Sequence, residues 1–198
     1  MSLKEVLQVF GALFGSDDQL VHGKVERSRP TSGRVRGAYN LTVPSESDED
    51  DIQRADTVEI ECMDGRLSTK GRPRLFGHDR SFRISIAGGG VQPAEDRRLA
   101  VAKTIAEIHK ANPRAVVKVA GHDLVCKGFD HFADGRASRA RRVGRDAEHD
   151  EIVKELNLTI NQAIRQGADP KRIRLIVDEI DEGSGRYRRS RDIRPRRR

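Results

Sequence analysis

Apolar and polar residues alternate in residues 82–86, where Phe82, Ile84 and Ile86 would face the same way. A period of two is typical of a strand with one buried face. Residues 116–119 are nearly all valine, which indicates a strand in the middle of a sheet. Further strands are predicted at residues 57–63 and 173–180.

Two helices are predicted between these strands. The first begins near Pro93, ends at Asn112-Pro113 and has an apolar face made of Leu99, Ala102, Ile105, Ala106 and Ile108. The second follows an arginine-rich segment and ends near Gly167, with an apolar face made of Ile152, Val153, Leu156, Ile160, Ala163 and Ile164. The order β-α-β-α-β requires crossover connections, so we expect an α/β (α+β) core with helices on one face of a mixed sheet.

The first 80 residues are expected to form an N-terminal helix and a small β subdomain. Apolar residues recur at helical spacing in residues 3–14, and residues 20–25 and 35–43 resemble a strand pair. The serine-rich and acidic residues 44–51 are predicted to be a loop or linker. The α/β core then spans residues 81–182, before a tail of residues 183–198.

The arginine-rich tail is the main sequence feature that predicts a binding partner. The formal net charge is +7 and the pI is about 9.8, which favours acidic or polyanionic partners. Because the tail has no periodic apolar residues, it is predicted to be a disordered arm that binds polyanions. Its eight arginines are Arg186, Arg188, Arg189, Arg191, Arg194, Arg196, Arg197 and Arg198.

Cysteine usage and hydropathy indicate the compartment. Cys62 and Cys126 are far apart in strand-like surroundings, which is typical of buried thiols in a reducing compartment. The N-terminus lacks signal-peptide features, and no stretch approaches the ~20 apolar residues of a transmembrane helix. We therefore expect a cytoplasmic or particle-associated oligomer, with protein subunits of a larger assembly as partners.

No motif predicts catalysis. The glycines at 88–90 lie between a strand and a helix but lack the full phosphate-binding fingerprints, so a flexible turn is expected. Residues of the types that bind metals or move protons follow the valine-rich strand, at His122, Asp123, Cys126, Asp130, His131 and Asp134. Paired spacings such as C-x-x-C are missing, and so is a nucleophile elbow. Neither a metal nor another cofactor is therefore predicted, and we expect a protein that is not an enzyme.

Three local matches carry a resemblance to a known family. They are Val91-Gln92-Pro93 at the first helix, the segment from Asn112-Pro113 to Gly121-His122, and Gly167-Ala168-Asp169-Pro170 before the last strand. With the β-α-β-α-β order, residues 82–180 resemble the C-terminal peptidoglycan-binding domain of the OmpA-like family. The family's G-H-T-D becomes Gly121-His122-Asp123 here, without the threonine, and about a dozen extra residues interrupt the second helix.

The resemblance implies a ligand site. Asp123 and Arg139 match the family's aspartate and arginine that hold the diaminopimelate of peptidoglycan, with His122 beside them. The first function hypothesis is thus a non-catalytic module that anchors an envelope or phage-like assembly to cell wall or to neighbouring subunits. The second is a nucleic-acid-associated structural protein, such as a virion or nucleoprotein component, that uses its basic arm.

Overall fold

The computed structural model describes residues 22–26, 39–40, 46–62, 64, 67 and 81–193, and within these it contains seven strands and five α-helices. The strands are β1 (His22–Glu26), β2 (Tyr39–Asn40), β3 (Thr57–Cys62), β4 (Ser81–Ile86), β5 (Val116–His122), β6 (Ile173–Ile180) and β7 (Tyr187–Ile193). The helices are α1 (Glu46–Arg54), α2 (Glu95–Ala111), α3 (Lys127–Phe132), α4 (Arg136–Val143) and α5 (Arg145–Arg165). The expected mixed α/β class is confirmed.

All seven strands belong to one sheet, in the order β2-β1-β4-β3-β5-β6-β7. The four central strands β4, β3, β5 and β6 are parallel, while β1, β2 and β7 are antiparallel to their neighbours. The chain passes from β3 outward to β4 and then, through α2, returns past β3 to β5. The direction of winding thus reverses between β3 and β5, and open α/β sheets bind ligands outside the carboxyl ends of such a strand pair.

The hydrophobic core lies between the sheet and helices α2 and α5, which pack against each other. The alternation predicted for β4 is confirmed, since Phe82, Ile84 and Ile86 are buried in this core. Neighbouring strands present Val58, Ile60, Val117 and Val119 in register beside them. The helices therefore cover one continuous apolar face of the four parallel strands.

The opposite face of β3, β4 and β5 carries charged residues. Glu59 lies between Arg83 and Lys118, at 3.4 Å and 3.3 Å, and Arg83 also reaches Glu61 at 3.3 Å. These carboxylates are nearly inaccessible to solvent, so their pairing with cations offsets the cost of removing them from water.

The turn after β4 is tightly packed rather than flexible. Gly89 has φ +59°, and a Cβ at this position would lie 2.4 Å from the carbonyl oxygen of Ala120. A Cβ at Gly90 would lie 2.2 Å from a methyl group of Val119. Glycine is required at these positions because the turn packs directly against β5. This close packing explains the glycines that resemble part of a phosphate-binding loop.

The N-terminal region departs from the sequence-based expectation in two ways. Residues 46–51, predicted to be a loop, belong to helix α1, whose Ile52 is fully buried. Asn112 fixes the end of this helix by donating to the carbonyls of Ile52 and Ala55 at 3.0 Å and 2.8 Å. Acidic residues at a helix N-terminus are favourable, which explains how a charged stretch can form a helix. The second difference concerns the domain boundary predicted at residue 80. Strand β3 precedes this boundary but lies in the centre of the sheet formed with the later strands, so the boundary does not separate two sheets.

The prediction of a disordered tail is wrong for residues 187–193. This segment forms β7, which pairs antiparallel with β6 from Leu175↔Ile193 to Ile180↔Tyr187, with an irregularity between Glu179 and Ile180. Glu179 accepts hydrogen bonds from Arg189 and forms an ion pair with Arg191. The strand is stabilised by charge pairing, which hydrophobic periodicity does not detect.

Several predictions fall on residues outside the described ranges. These are the helix at residues 3–14, most of the strand at residues 35–43 and the last five residues of the tail. No helix within the described part of the chain combines the length and apolar character needed to cross a membrane.

Candidate metal centre

Three side chains that can bind a metal ion meet at the carboxyl ends of β3 and β5. Cys62 is the last residue of β3, His122 is the last residue of β5, and Cys126 directly precedes α3. Their potential ligand atoms all lie within 4.8 Å of one another. Because β3 and β5 are adjacent and parallel, residues 60 positions apart arrive at one end of the sheet.

The cluster is enclosed by protein. Cys62, His122 and Cys126 are 5%, 0% and 2% exposed. The two sulfur atoms are 3.5 Å apart, and both cysteines are free thiols. In a tetrahedral zinc site with Zn–S bonds of about 2.3 Å, two sulfurs lie about 3.8 Å apart. The observed spacing is thus close to that of a zinc site and much longer than a disulfide bond of about 2.05 Å.

The histidine presents its Nε2 atom to the two sulfurs. Its Nδ1–H donates to the backbone carbonyl of Asp123 at 2.7 Å, which leaves Nε2 without a proton in the neutral ring. Nε2 is buried and makes no hydrogen bond to the described residues, although Asp64 Oδ2 lies 3.5 Å away. A metal-binding histidine is typically arranged in this way, with one nitrogen bonded to the protein and the other facing the ion. The Asp64 carboxylate lies on the Nε2 side of the ring but is not part of the three-residue cluster.

The electrostatics of the cluster favour the protonated forms of its cysteine and histidine side chains. The hydrogen bond between Cys62 and Cys126, together with burial, raises the pKa of Cys62 well above its ordinary value. The pKa of His122 is raised, because interactions with Cys62, the Asp123 carbonyl and Asp64 outweigh the opposing effect of burial. A bound cation reverses this preference for protonated thiols, since metal-coordinating cysteines are thiolates.

The loop that brings Cys126 into the cluster is strained. Leu124 and Val125 have φ +60° and +54°, and a β-branched residue such as Val125 rarely adopts this left-handed conformation. The loop is held from α5, where Glu148 accepts the Val125 N–H at 2.5 Å. Glu148 is itself buried and pairs with Arg141 at 3.4 Å. Such strain persists only where surrounding contacts enforce it, and it is common at functional sites.

The structure separates the six residues that the sequence placed in one polar loop. His122 and Cys126 belong to the candidate metal centre, whereas Asp130 accepts the Ser138 N–H at 2.9 Å at the start of α4. His131 and Asp134 are exposed. Cys62 completes the centre, and sequence spacing could not identify it because the strands that carry Cys62 and His122 are distant in the chain.

Asp123 and Arg139, the residues matched to the peptidoglycan-binding pair, lie in different environments. Asp123 is fully buried and is bonded to Arg145 and His149. Arg139 is exposed and donates to the Asp134 carbonyl. The ammonium group of a ligand could contact the Asp123 carboxylate only if it displaced Arg145 and His149. The peptidoglycan site stays a prediction, and within the described residues no hydrogen bond or ion pair joins Arg139 to Asp123.

The predicted polyanion-binding arginines divide into three groups. Arg189 and Arg191 are paired with Glu179, whereas Arg186 and Arg188 are exposed on the surface. Arg194 and the three arginines at 196–198 lie outside the described residues. Two of the eight arginines thus have an internal structural role.

Comparison with known proteins gives no further assignment: no protein-family model matches the chain, and no curated protein is similar to it.

Proposed function

We propose that this protein binds one zinc ion through Cys62, His122 and Cys126, with Asp64 as the fourth ligand. The observation that carries this proposal is the meeting of two thiols and an imidazole in a buried space at the carboxyl ends of β3 and β5. Two sulfurs and one nitrogen favour zinc over magnesium or calcium, which prefer oxygen ligands.

The proposed role of the zinc ion is structural. Structural zinc sites have four protein ligands and are closed to solvent, whereas catalytic sites keep a position for water or substrate. The three clustered ligands are almost inaccessible to solvent, and in this proposal the Asp64 carboxylate, 3.5 Å from His122 Nε2, would move in as the fourth ligand. A bound ion would connect β3, β5 and the strained loop before α3, and its binding free energy would stabilise the fold.

Metal content and spectroscopy test the proposal. The full-length protein, purified without added metal chelator, should contain about one zinc per chain by elemental analysis. Replacement of zinc by Co²⁺ should produce intense d–d bands of a tetrahedral site and sulfur-to-cobalt charge-transfer bands. Cys62→Ser, Cys126→Ser and His122→Gln should each weaken binding strongly.

A matched control is available in His109→Gln, which changes a buried histidine on α2 outside the cluster and should leave the metal content unchanged. Wild-type protein that binds neither Zn²⁺ nor Co²⁺ with its thiols reduced would overturn the proposal. So would ligand variants that retain full metal content. A Cys62–Cys126 disulfide in protein purified under reducing conditions would also argue against a metal site.

A second candidate function is the binding of a polyanion such as nucleic acid. It is favoured by the exposed Arg186 and Arg188 at the start of β7, together with the arginines at 194–198 that follow this strand. Contacts of this kind release counterions and carry little base specificity. Filter binding should show affinity that falls steeply from about 50 to 200 mM salt, and Arg186→Ala/Arg188→Ala should reduce it. Affinity that is insensitive to salt would exclude this function.

A further inference from the structure

The carboxylate of Asp123 has an unusually complete set of partners beside the metal centre. Its Oδ2 atom accepts hydrogen bonds from Arg145 Nε at 2.7 Å and Nη2 at 2.5 Å, and His149 Nε2 lies 3.1 Å away. Its Oδ1 atom accepts the backbone N–H of Ile180 at 2.7 Å. The side chain is fully buried, and these contacts join the end of β5 to the start of α5 and the end of β6.

The same residue fixes the orientation of His122. The Asp123 carbonyl accepts the His122 Nδ1–H at 2.7 Å, while the Asp123 N–H donates to the Asp178 carbonyl at 3.1 Å. Both the side chain and the peptide groups of Asp123 are therefore anchored. A carbonyl held in this way selects the imidazole tautomer whose free lone pair is on Nε2, the atom that faces the cysteines.

We infer that Asp123, held by Arg145 and His149, is the positioning residue that orients His122 for metal binding. This inference rests on the proposed zinc site and extends it to residues that do not contact the ion. Groups that orient metal ligands in this way typically change metal affinity 10- to 100-fold when they are replaced. The role differs from that suggested by the OmpA-like resemblance, in which Asp123 would contact a ligand directly.

A purely structural role is the alternative, because the loss of one partner of any buried ion pair destabilises its surroundings. The chain offers a matched control for that alternative in Glu155 on the same helix α5. Glu155 is also buried and pairs with two arginines, Arg98 at 3.3 Å and Arg136 at 2.5 Å. It lies ten residues beyond Arg145, about 15 Å along the helix axis, and has no contact with the metal centre. Loss of either carboxylate should destabilise the fold, but only loss of Asp123 should alter the metal site.

The test compares Asp123→Asn, Arg145→Gln and Glu155→Gln in the full-length protein. Zn²⁺ and Co²⁺ affinities are measured by competition with a chelator, and thermal unfolding is measured in parallel. In metal-free protein, long-range ¹H–¹⁵N NMR correlations report which nitrogen of His122 carries the proton. Asp123→Asn and Arg145→Gln should lower metal affinity about 10- to 100-fold and shift the Co²⁺ bands. They should also mix the two tautomers of His122.

Glu155→Gln should keep wild-type metal affinity, Co²⁺ bands and tautomer, even where its loss of thermal stability equals that of Asp123→Asn. Equal metal affinities for wild type and Asp123→Asn would overturn the inference while leaving the zinc site intact. A loss of affinity in Glu155→Gln as large as in Asp123→Asn would also overturn it, since general destabilisation would then account for both. Wild-type protein that binds no metal would instead refute the proposed function.

Discussion

Replacing Arg189 and Arg191 together by alanine should lower the free energy of unfolding by about 2 kcal/mol. Their shared partner Glu179 is only 1% exposed, and removing one side of a fully buried ion pair typically costs about 3–5 kcal/mol. The arginine side chains are 52% and 49% exposed, so water can approach the carboxylate once they are gone and reduces that cost. The lower figure of about 2 kcal/mol follows from this partial solvation.

Urea unfolding followed by far-UV circular dichroism measures the effect. A loss of about 2 kcal/mol should lower the urea midpoint by about 1 M. The matched control is Arg186→Ala/Arg188→Ala, which makes the same charge change on exposed arginines and should stay within about 0.5 kcal/mol of wild type. A stability of Arg189→Ala/Arg191→Ala equal to that of the control would refute the structural role of β7 and support a free basic arm.

The pH dependence provides an independent check of the same ion pairs. Burial opposes ionisation of Glu179, but the adjacent arginines outweigh it, and the pKa of this carboxyl is lowered from its ordinary value of 4.5. A lowered pKa means that the stabilisation is present above pH 4.5 and is lost as the pH falls through the folded-state pKa. The difference between wild type and Arg189→Ala/Arg191→Ala should therefore be constant near neutral pH and shrink below pH 4.5.

Two further predictions concern the core. Burial lowers the pKa of His109, whose Nδ1 accepts the Asp169 N–H at 3.0 Å, so thermal stability should decline as the pH falls from 6.5 through the folded-state pKa of this residue. His109→Gln should flatten that decline in melting curves recorded between pH 5 and 7, and an unchanged slope would contradict the assignment. Gly89→Ala places a methyl group 2.4 Å from the Ala120 carbonyl oxygen at φ +59°, and should cost more than about 2 kcal/mol in urea unfolding. A variant as stable as wild type would show that this turn can relax.

Much of the α/β core could be predicted from hydrophobic periodicity. The alternation in residues 82–86 and the valines at 116–119 correspond to β4 and β5, because both strands bury their apolar residues against α2 and α5. Periodicity failed for β7 and α1, which are rich in charged residues. Strand β7 depends on Glu179, a residue on another strand, and no local pattern in residues 187–193 contains that information.

The candidate site was harder to predict from the sequence, because it also depends on contacts between residues that are distant in the chain. His122 and Cys126 were recognised as metal-binding residue types, but their spacing resembles no paired motif. Cys62 joins them only because β3 and β5 become neighbours after the chain has passed through β4 and α2. The contact between Cys62 and His122 thus depends on strand order, which is a property of the whole fold.

Buried carboxylates and strained backbone, both of which cost stability, lie together at the carboxyl end of the sheet, which supports a function there. Asp123 and Glu148 are fully buried carboxylates, and the two successive left-handed residues Leu124 and Val125 lie between Asp123 and Cys126. Buried ion pairs add little stability compared with apolar residues of similar size, and strained backbone costs about 1–3 kcal/mol per residue. A segment selected only for stability would have neither feature. Natural proteins accept such local costs mainly at functional sites, and here both meet at the loop that carries Cys126 into the proposed metal centre.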